Sequence, residues 1–509
     1  MNAAALAGNR GFITLAVMLA TIMQGLDTTI ANVSLPHMQG SMSATQDQIS
    51  WVLTSYIVAA AISMPLTGII SARIGRKRLF MLAVVGFTAA SMLCGAAQNL
   101  TQIVIFRILQ GLFGASLVPL SQAVLLDTYP PEKHASAMAM WGVGVMVGPI
   151  LGPTLGGWLT EYYNWRWVFY INLPFGILAW LGLAVAVHET PLDRQRRFDF
   201  LGFAFLAIGI GALQMLLDRG ESLNWFASPE IVTELLLAVL CLYLFFAHIL
   251  TTTNPFIELR LFSDRNYSLG LICIFMVGII LFATMALLPP FLQNLLNYPV
   301  VDTGYLLAPR GIGTMFAMML VGRLAGRVDP RYQIAFGLLL ASFAMWEMTQ
   351  FNLDITQWDL FRTGVIQGFG LGFVFVPMTT ISFSTLAARY RNDGTALFSL
   401  MRNLGSSIGI SIVISQLSRN TQANHAALAD FIDPYRFAIR QAVEAGTVQL
   451  DSASGLAVIN AEVTRQAAML AYLQDFRLMM WVGLVSVPLI FLLRAPPKTV
   501  LAEPPIMAE

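Results

Sequence analysis

The sequence predicts an all-α integral membrane protein with fourteen membrane-spanning helices. Of its 509 residues, 57% are hydrophobic and only 11% are charged, whereas soluble domains carry about 25% charged residues. Apolar stretches recur along the chain, and each is close to the roughly 20 residues that a helix needs to cross a bilayer. Because these stretches are continuous and do not alternate with polar residues, we expect helices and not strands.

The predicted spans are the long apolar runs that contain few charges. They lie near residues 12–34, 49–71, 79–97, 101–126, 135–160, 167–188, 199–218, 231–252, 267–291, 303–325, 333–350, 358–384, 394–416 and 477–494. The last two spans are separated by residues 417–475, whose alanine-rich stretches predict short helices outside the membrane. Loops of this length are usually either functional or disordered.

Lysine and arginine predict the orientation. The loops after even-numbered spans carry Arg73, Arg76, Lys77, Arg78, Arg194, Arg196, Arg197, Arg260, Arg265, Arg327, Arg331, Arg389 and Arg391. The short loops after odd-numbered spans carry only Arg166 and Arg219. Basic loops stay inside, so we expect both termini in the cytoplasm and residues 417–475 outside. The net charge of +1 gives no reason to expect a nucleic-acid partner.

The first and fourth spans hold a candidate proton site. Asp27 lies about 15 residues into span one, roughly 22 Å along a helix, where a charged carboxylate costs about 3 kcal/mol. Embedded carboxylates usually mark ion or proton paths; the alternatives are a permanent structural pair or a helix cap. Arg107 stays charged and cannot carry the proton, but it could hold Asp27 ionised until the two separate. It could equally be structural and bond backbone carbonyls.

Two pairs of motifs predict an internal duplication. GIISARIGRKR, from Gly68, matches GRLAGRVDPR, from Gly322, in spans two and ten. FRILQGLFGASLVPLS in span four matches FRTGVIQGFGLGFVFVPMT in span twelve. Spans four and twelve are equivalent only if two six-helix bundles are separated by two inserted helices. We therefore expect bundles at 1–188 and 266–509, with the inserted helices within 189–265.

Span five carries a stripe of small residues. Glycine recurs every four residues, at Gly144, Gly148, Gly152 and Gly156. Helices approach closely along such a stripe. Pro149 and Pro153 remove backbone hydrogen bonds and predict a kink, which offers a hinge or a pliable seal between bundles. Close packing without any switching is the alternative.

Further polar and aromatic residues are weaker candidates. Asp218 ends span seven and Glu347 lies late in span eleven; a solvated position at headgroup level competes with proton coupling for both. Arg310 and Arg402 are additional cations within apolar spans. Adaptable and aromatic side chains suit a lipophilic cavity, and the candidates are Met23, Gln24, Gln110, Gln122, Phe282, Phe291, Trp346, Gln367 and Arg402. Each of them alone fits a core or lipid-facing position better than a substrate contact.

Other chemistry has little support in the sequence. Cys94, Cys241 and Cys273 lie in apolar spans without metal-type spacing, so we expect inert packing thiols. The sequence contains no nucleotide-binding P-loop, and the cytoplasmic loops are too short for an ATPase domain. An ion gradient must then drive any transport, and we expect neither enzymatic activity nor a cofactor or metal.

Motifs along nearly the whole chain carry a family resemblance. They are LDTTIANVSLP (26–36), WVLTSYIVAAAISMPLTG (51–68), the Arg107 motif, VPLSQAVLLDTYPP (118–131), span five, NWRWVFYINLP (164–174) and LDRGESLNWF (217–226). The chain resembles the fourteen-helix drug:proton antiporters of the major facilitator superfamily, most of all the EmrB-type inner-membrane subunits of tripartite multidrug pumps. One departure is Ala72, which stands where the loop motif of the superfamily has aspartate.

The resemblance implies a proton-coupled exporter of lipophilic or amphipathic compounds in a bacterial inner membrane, working by alternating access. It implies that Arg107 takes part in proton coupling and that span five marks exporters and blocks leak. The implied gating positions are Gly68, Arg73, Gly75, Arg76, Gly144, Gly148, Pro149, Gly152, Pro153, Gly156 and Gly157. Residues 417–475 become a candidate docking surface for a periplasmic adaptor, which would lead to an outer-membrane channel; a partner-free loop is the alternative.

Two other functions stay open. A proton-coupled uptake symporter for an organic solute would show the opposite direction of flux, and the glycine and proline motif of span five argues against it. A receptor or scaffold that transports nothing would use residues 417–475 as its working part. That function predicts no proton-linked flux.

Overall fold

The computed structural model describes residues 3–190, 198–432 and 452–494, together with Leu192, Phe437, Arg440 and Gln441. All regular secondary structure in these residues is helical. The α-helices are α1 (Ala3–Met42), α2 (Gln46–Ser63), α3 (Leu66–Ile74), α4 (Arg76–Ala96), α5 (Leu100–Gly114), α6 (Leu117–Thr128), α7 (His134–Tyr162), α8 (Trp167–Tyr170), α9 (Asn172–Ala186), α10 (Phe200–Arg219), α11 (Pro229–Thr251), α12 (Arg265–Pro290), α13 (Val300–Leu324), α14 (Pro330–Met348), α15 (Gln357–Phe383), α16 (Arg391–Ala429) and α17 (Ala453–Ile490). The predicted all-α class is confirmed.

Three of the predicted spans consist of two helices each. Span two is α2 followed by α3, and the two helices meet at an angle of 58°. The bend lies at Pro65, which has no N–H to continue the backbone hydrogen bonds and disfavours helical geometry in the residue before it. Span four is α5 followed by α6, and span six is α8 followed by α9.

The number of membrane spans is close to the prediction but not equal to it. Within the described residues, twelve helices are long and apolar enough to cross a membrane, or thirteen if α2 and α3 form one span. Helix α14 is not among them, and Arg331, Gln333 and Glu347 lie near its two ends, where they reduce its apolar character. The predicted total of fourteen is therefore not confirmed.

The two halves of the chain repeat one packing scheme. Helix α1 packs on α7 and α9, as α12 packs on α16 and α17. Helix α5 packs on α2 and α4, as α15 packs on α13 and α14. Helices α10 and α11 pack on each other, and α10 also contacts α2 and α16. The helix contacts therefore repeat in the two halves of the chain, with α10 and α11 as an additional pair; the division into bundles at 1–188 and 266–509 stays a prediction.

The bundles meet through α7 on one side and α16 on the other. Helix α7 packs along α13, where Ile150 covers Gly311 and Met318 lies over Gly142. Helix α16 packs against α3 and α6. The indole of Trp141 stacks on Phe375 of α15, with ring centroids 6.0 Å apart and an interplanar angle of 16°.

The glycine stripe of span five lies within one bundle. A Cβ added at Gly148 would collide with the backbone of Gly25 on α1, and one at Gly156 would lie 3.3 Å from the backbone of Ile30. Gly157 has open space instead. The stripe thus allows α1 and α7 to approach closely, whereas the face of α7 that contains Gly142 meets the other bundle. Helix α7 runs through positions 149 and 153, whose side chains lie outside the described part of the structure.

Where the structure describes the polar segment before the last span, much of it continues the two neighbouring membrane helices. Helix α16 continues to Ala429 and α17 already begins at Ala453, so both membrane helices extend well beyond the predicted spans. Alanine is the best helix former, and the alanine-rich stretches prolong existing helices. The Asn424 side chain donates to the carbonyl of Ala467 over 3.3 Å, which ties the two extensions together. Most of residues 433–451 lie outside the described residues.

Candidate functional site

Asp27 lies inside the N-terminal bundle with only 1% of its surface exposed. Its Oδ2 accepts a hydrogen bond from Arg107 Nη1 at 2.7 Å. Its Oδ1 accepts from Gln110 Nε2 at 2.8 Å and from Asn172 Nδ2 at 3.0 Å. Three donors on α5 and α9 therefore surround one carboxylate on α1, and together they offset the cost of burying its charge.

Arg107 makes both kinds of contact that the sequence leaves open, an ion pair and a bond to a backbone carbonyl. Besides its ion pair with Asp27, it donates from Nε to the carbonyl of Val52 on α2 over 2.9 Å. Its guanidinium also lies over the Tyr56 ring, 4.5 Å from the centroid, which is an attractive cation–π geometry. Arg107 thus joins helices α1, α2 and α5 through a single side chain.

Asn172 is a member of this site that the sequence analysis did not identify. Its Nδ2 donates to Ser91 Oγ at 2.9 Å as well as to Asp27, and Ser91 Oγ donates to the carbonyl of Phe169 at 2.8 Å. The signal was an amide residue inside an otherwise apolar span, directly before Leu173 and Pro174. Polar residues within membrane spans usually face the bundle interior.

A change of charge at Asp27 would affect several helices at once. Replacing a buried ion pair by apolar groups often costs nothing, but removing one partner leaves an uncompensated charge. Protonation of Asp27 would cancel its charge and weaken the bonds from Arg107, Gln110 and Asn172 together. One proton can therefore loosen contacts among several helices.

The other candidate acids lie at helix ends. Asp218, at the end of α10, accepts a hydrogen bond from Thr54 of α2. Glu347, near the end of α14, pairs with Arg362 of α15 at 3.2 Å. The described contacts join neither of them to Asp27. Arg362 was matched to Arg107 through its motif, yet it pairs with an acid at a helix end and not in the bundle interior.

The candidate cavity residues are dispersed. Met23, Gln110, Gln122, Phe291 and Gln367 are fully buried, and Trp346 is 49% exposed on α14, where it stacks on Phe343. Gln24, Phe282 and Arg402 are partly buried. Gln110 belongs to the Asp27 site, whereas Phe291 packs among Phe351, Tyr472 and Phe476. The structure does not bring this set together, and its role in binding substrate stays a prediction.

Two narrow clefts in the structure are lined by residues outside the predicted cavity set. One lies between α7 and the C-terminal bundle and is lined by Met146, Val277, Leu281, Thr314, Met318, Leu371 and Phe375. The other lies in the C-terminal bundle and is lined by Leu288, Leu292, Leu306, Leu307, Arg310, Met348, Leu360, Thr363 and Gly364. Arg310 donates to the carbonyl of Leu281 at 3.0 Å. Among the described residues no carboxylate pairs with Arg310, so a positive charge lies against an apolar cleft.

The end of the molecule that carries Gly75, Asp127, Asp329 and Arg391, here called the basic end, holds an ionic link between the bundles. Asp127 of α6 accepts hydrogen bonds from Arg76 of its own bundle and from Arg391 of α16. A Cβ on Gly68 would collide with Asp393 of α16, so this glycine permits the contact.

The turn between α3 and α4 accounts for two further predicted positions. Gly75 has a φ of 97°, which favours glycine. The Glu189 carboxylate accepts from the backbone N–H groups of Lys77 at 3.0 Å and Arg78 at 3.2 Å. It therefore caps the positive N-terminus of α4. Arg73 lies in the last turn of α3.

A buried ionisable site inside one of two repeated helix bundles, with a separate ionic link between the bundles, defines a membrane transport protein. The family model of the Major Facilitator Superfamily matches residues 17–410. The chain belongs to this superfamily.

Curated relatives and a solved structure agree with this assignment. The chain is 36% identical over 487 residues to the fatty acid resistance protein FarB of Neisseria gonorrhoeae, covering 95% of this chain and 96% of FarB. It is 37% identical over 429 residues to the multidrug export protein EmrB of Escherichia coli K12, covering 83% of each. The human organic anion transporter MFSD10 (TETRAN) is similar in fold, with a TM-score of 0.57, 14% identity and coverage of 93% of this chain and 99% of that one.

Proposed function

We propose that the protein is a proton-coupled exporter that moves lipophilic and amphipathic compounds out of the cytoplasm or the inner leaflet. The observation that carries this proposal is Asp27, a buried carboxylate held by Arg107, Gln110 and Asn172. The printed names of EmrB and FarB, which concern multidrug export and fatty acid resistance, support the export of such compounds.

In the proposed cycle, Asp27 binds a proton from the outside and releases it to the inside. The neutral carboxyl holds Arg107 less tightly, so α1, α2 and α5 can change their packing. The link from Asp127 to Arg391 breaks when the basic end opens and forms again when it closes. A membrane potential supplies about 2.3 kcal/mol per charge for each 100 mV, so one charge at 150 mV could hold a gradient of a few hundred-fold.

The cleft beside Arg310 supports amphipathic anions as one substrate class. Its walls are five leucines and a methionine with Thr363 and Gly364, and its single charged side chain is the Arg310 guanidinium. An arginine without a carboxylate partner can bind the carboxylate of a ligand through two hydrogen bonds. The cleft has a volume of only about 10 Å³, so an alkyl chain would lie along the leucines only after the surrounding helices move apart.

The cellular setting forms part of the same proposal. The basic loops support an inner-membrane protein with both termini in the cytoplasm. The bundles would comprise residues 1–188 and 266–509, with the inserted helices within 189–265. The extensions of α16 and α17 would then point into the periplasm, where they offer a surface for an adaptor that continues to an outer-membrane channel.

The test is proton movement in proteoliposomes that hold an imposed pH gradient. Lipophilic cations and bile acids are added in turn to the wild type, to Asp27→Asn and to the control Glu230→Gln, which alters a surface ion pair. The proposal expects each active substrate to collapse the gradient in the wild type and the control, but not in Asp27→Asn. Collapse that survives in Asp27→Asn would move the proton site to another acid.

The direction of transport and the requirement for a partner protein need separate measurements. Radiolabelled substrate that accumulates in the direction of proton entry would establish an uptake symporter instead of an exporter. If no compound moves protons in any variant, the scaffold function is favoured, provided that addition of a purified periplasmic adaptor does not restore flux.

A further inference from the structure

Helix α10 connects helices from the two halves of the chain. It packs on α2 and also on α16. At the basic end α16 contacts α3 and α6 directly. Ser407 follows Arg391 by 16 residues on α16, which is about 24 Å along a helix, and it contacts α10 instead. Farther from the basic end, α10 therefore joins α16 to α2.

The contact between α10 and α2 extends along both helices. A Cβ added at Gly211 of α10 would lie 3.0 Å from Ile62 Cδ1 of α2. Nearer the end of α10, Thr54 of α2 donates a hydrogen bond to Asp218. The two helices run antiparallel, because the later residue of α10 meets the earlier residue of α2. Contacts at several levels hold α10 in a fixed position on α2.

The end of α10 carries the LDRGESLNWF motif (217–226), to which the proposed function assigns no role. Its Asp218 accepts the bond from α2 described above, and its Arg219 also contacts that helix. The Arg219 guanidinium lies 5.0 Å from the centroid of the Trp51 ring, within the range of a cation–π interaction. Two consecutive residues of the motif thus attach the end of α10 to α2.

The polar contact of α10 with α16 is weaker in kind. Gln214 Nε2 donates to Ser407 Oγ at 2.8 Å, and Ser407 Oγ in turn donates to the carbonyl of Asn403 at 3.2 Å. Gln214 is only 3% exposed. Hydrogen bonds between neutral groups are about half as strong as those that involve a charge. A displacement of α16 from α10 by roughly 1 Å would break this bond.

We infer that α10 and α11, here called the strap, are fixed to the N-terminal bundle through α2 and fastened to the C-terminal bundle through Gln214 and Ser407. This inference rests on the movement between the bundles that the proposed function requires. Because α10 is held on α2, the strap moves with the N-terminal bundle. The bond from Gln214 to Ser407 is made in the conformation described here, in which Asp127 and Arg391 close the basic end. It breaks when the basic end opens.

The strap and the basic end are thereby coupled. Both make contacts with α16 in the same conformation, so each contact stabilises the conformation that the other needs. Removal of either contact should increase the population in which the basic end is open. Loss of one neutral hydrogen bond should raise the ratio of open to closed molecules by about two- to tenfold.

Distances between spin labels on the purified full-length protein test this inference. Cysteines introduced at Ala227 and Thr101 report the distance from the strap to the N-terminal bundle, and cysteines at Ala227 and Gln422 report the distance from the strap to α16. All three positions are exposed, and the three native cysteines are buried. Gln214→Leu should lengthen and broaden the second distance and leave the first unchanged.

The coupling has its own readout in the same variant. Labels at Lys133 and Tyr332 measure the basic end, and Gln214→Leu should raise its open-to-closed ratio by the factor given above. These measurements use neither substrate nor a pH gradient. Failure of the inference is therefore distinct from failure of the proposed function, which depends on proton-linked flux.

Two further variants make the result decisive. Ser407→Ala removes the other half of the same bond, so it should give the same shifts and replaces Gln214→Leu if that variant does not fold. Thr233→Val is the matched control, because Thr233 is an exposed residue of α11 that donates to the carbonyl of Pro229 in its own helix. Its distances should equal those of the wild type.

Two results would overturn the inference. If the distance from the strap to the N-terminal bundle changes as much as the distance to α16, the strap is not fixed to α2. If neither Gln214→Leu nor Ser407→Ala alters the distance to α16, the bond between these residues does not fasten the strap.

Discussion

Arg107 Nη1 lies 2.7 Å from Asp27 Oδ2, and each of the two side chains is only 1% exposed. Removal of the arginine alone should leave a buried carboxylate without its counter-charge. We expect Arg107→Leu to lower the free energy of unfolding by about 3–5 kcal/mol. Thermal unfolding in detergent would measure this loss.

The matched variant is Arg107→Leu combined with Asp27→Asn. Because the double variant buries no charge at this site, it should recover most of the stability that Arg107→Leu loses. A double variant as unstable as Arg107→Leu would show that the arginine acts through Val52 and Tyr56 instead of through Asp27.

Because α1 packs closely on α7, we expect Gly148 not to tolerate a larger side chain. A valine there would collide with the backbone of Gly25, and backbone cannot move aside as a flexible side chain can. We expect Gly148→Val to cost at least the 1–3 kcal/mol typical of overpacking, seen as a loss of folded protein in size-exclusion chromatography. Gly157→Val on the same helix meets open space and should behave like the wild type.

Weakening the ionic link at the basic end should change the populations of the closed and open conformations. Hydrogen bonds to charged groups contribute about 1.5–3 kcal/mol, and Asp127→Asn weakens those from both Arg76 and Arg391. We expect a larger population in which the basic end is open, measured as longer distances between spin labels at Lys133 and Tyr332. The three cysteines of the chain are buried, so they should not take up label.

Glu230→Gln is the control for this measurement. Glu230 pairs with Arg219, within α10 and α11 and away from the contact between the bundles. The distance distribution of this variant should match that of the wild type. An equal shift to longer distances in both variants would show that the link between Asp127 and Arg391 does not hold the bundles closed.

Arg310 predicts selectivity by charge. If its guanidinium binds the head group of an amphipathic anion, Arg310→Leu should raise KM for anionic lipophiles about tenfold, which corresponds to about 1.4 kcal/mol. Export of lipophilic cations should be unaffected or improved. Arg362→Leu, which removes a half-exposed arginine from the start of α15, should leave the ratio between the two substrate classes unchanged.

The sequence predicted the architecture because bilayer thickness, loop charge and repeated motifs are local properties. It also predicted Asp27 and Arg107, since a charged residue inside an apolar span can be recognised from the sequence alone. Asn172 was missed, because it becomes significant only when folding brings α9 beside α1.

The extents of the last two helices could not be predicted from hydropathy. Apolar character marks the part of a helix that lies in lipid, whereas alanine and hydrogen bonds between neighbours decide where the helix ends. Asn424 and His425 on α16 contact Ala467 and Asn460 on α17. Such contacts between distant parts of the chain stabilise polar helices that a hydropathy window reads as loop.

The last two helices are longer than a bilayer is thick. Helix α17 has 38 residues and is therefore about 57 Å long, against a hydrocarbon core of about 30 Å. If the rest of α17 crosses the bilayer, close to half of the helix lies beyond the hydrocarbon core, paired with α16 on the side opposite the basic end. A protein bound at the far end of this helix pair would lie outside the headgroup region. At that distance a small tilt of the C-terminal bundle would displace the bound protein sideways.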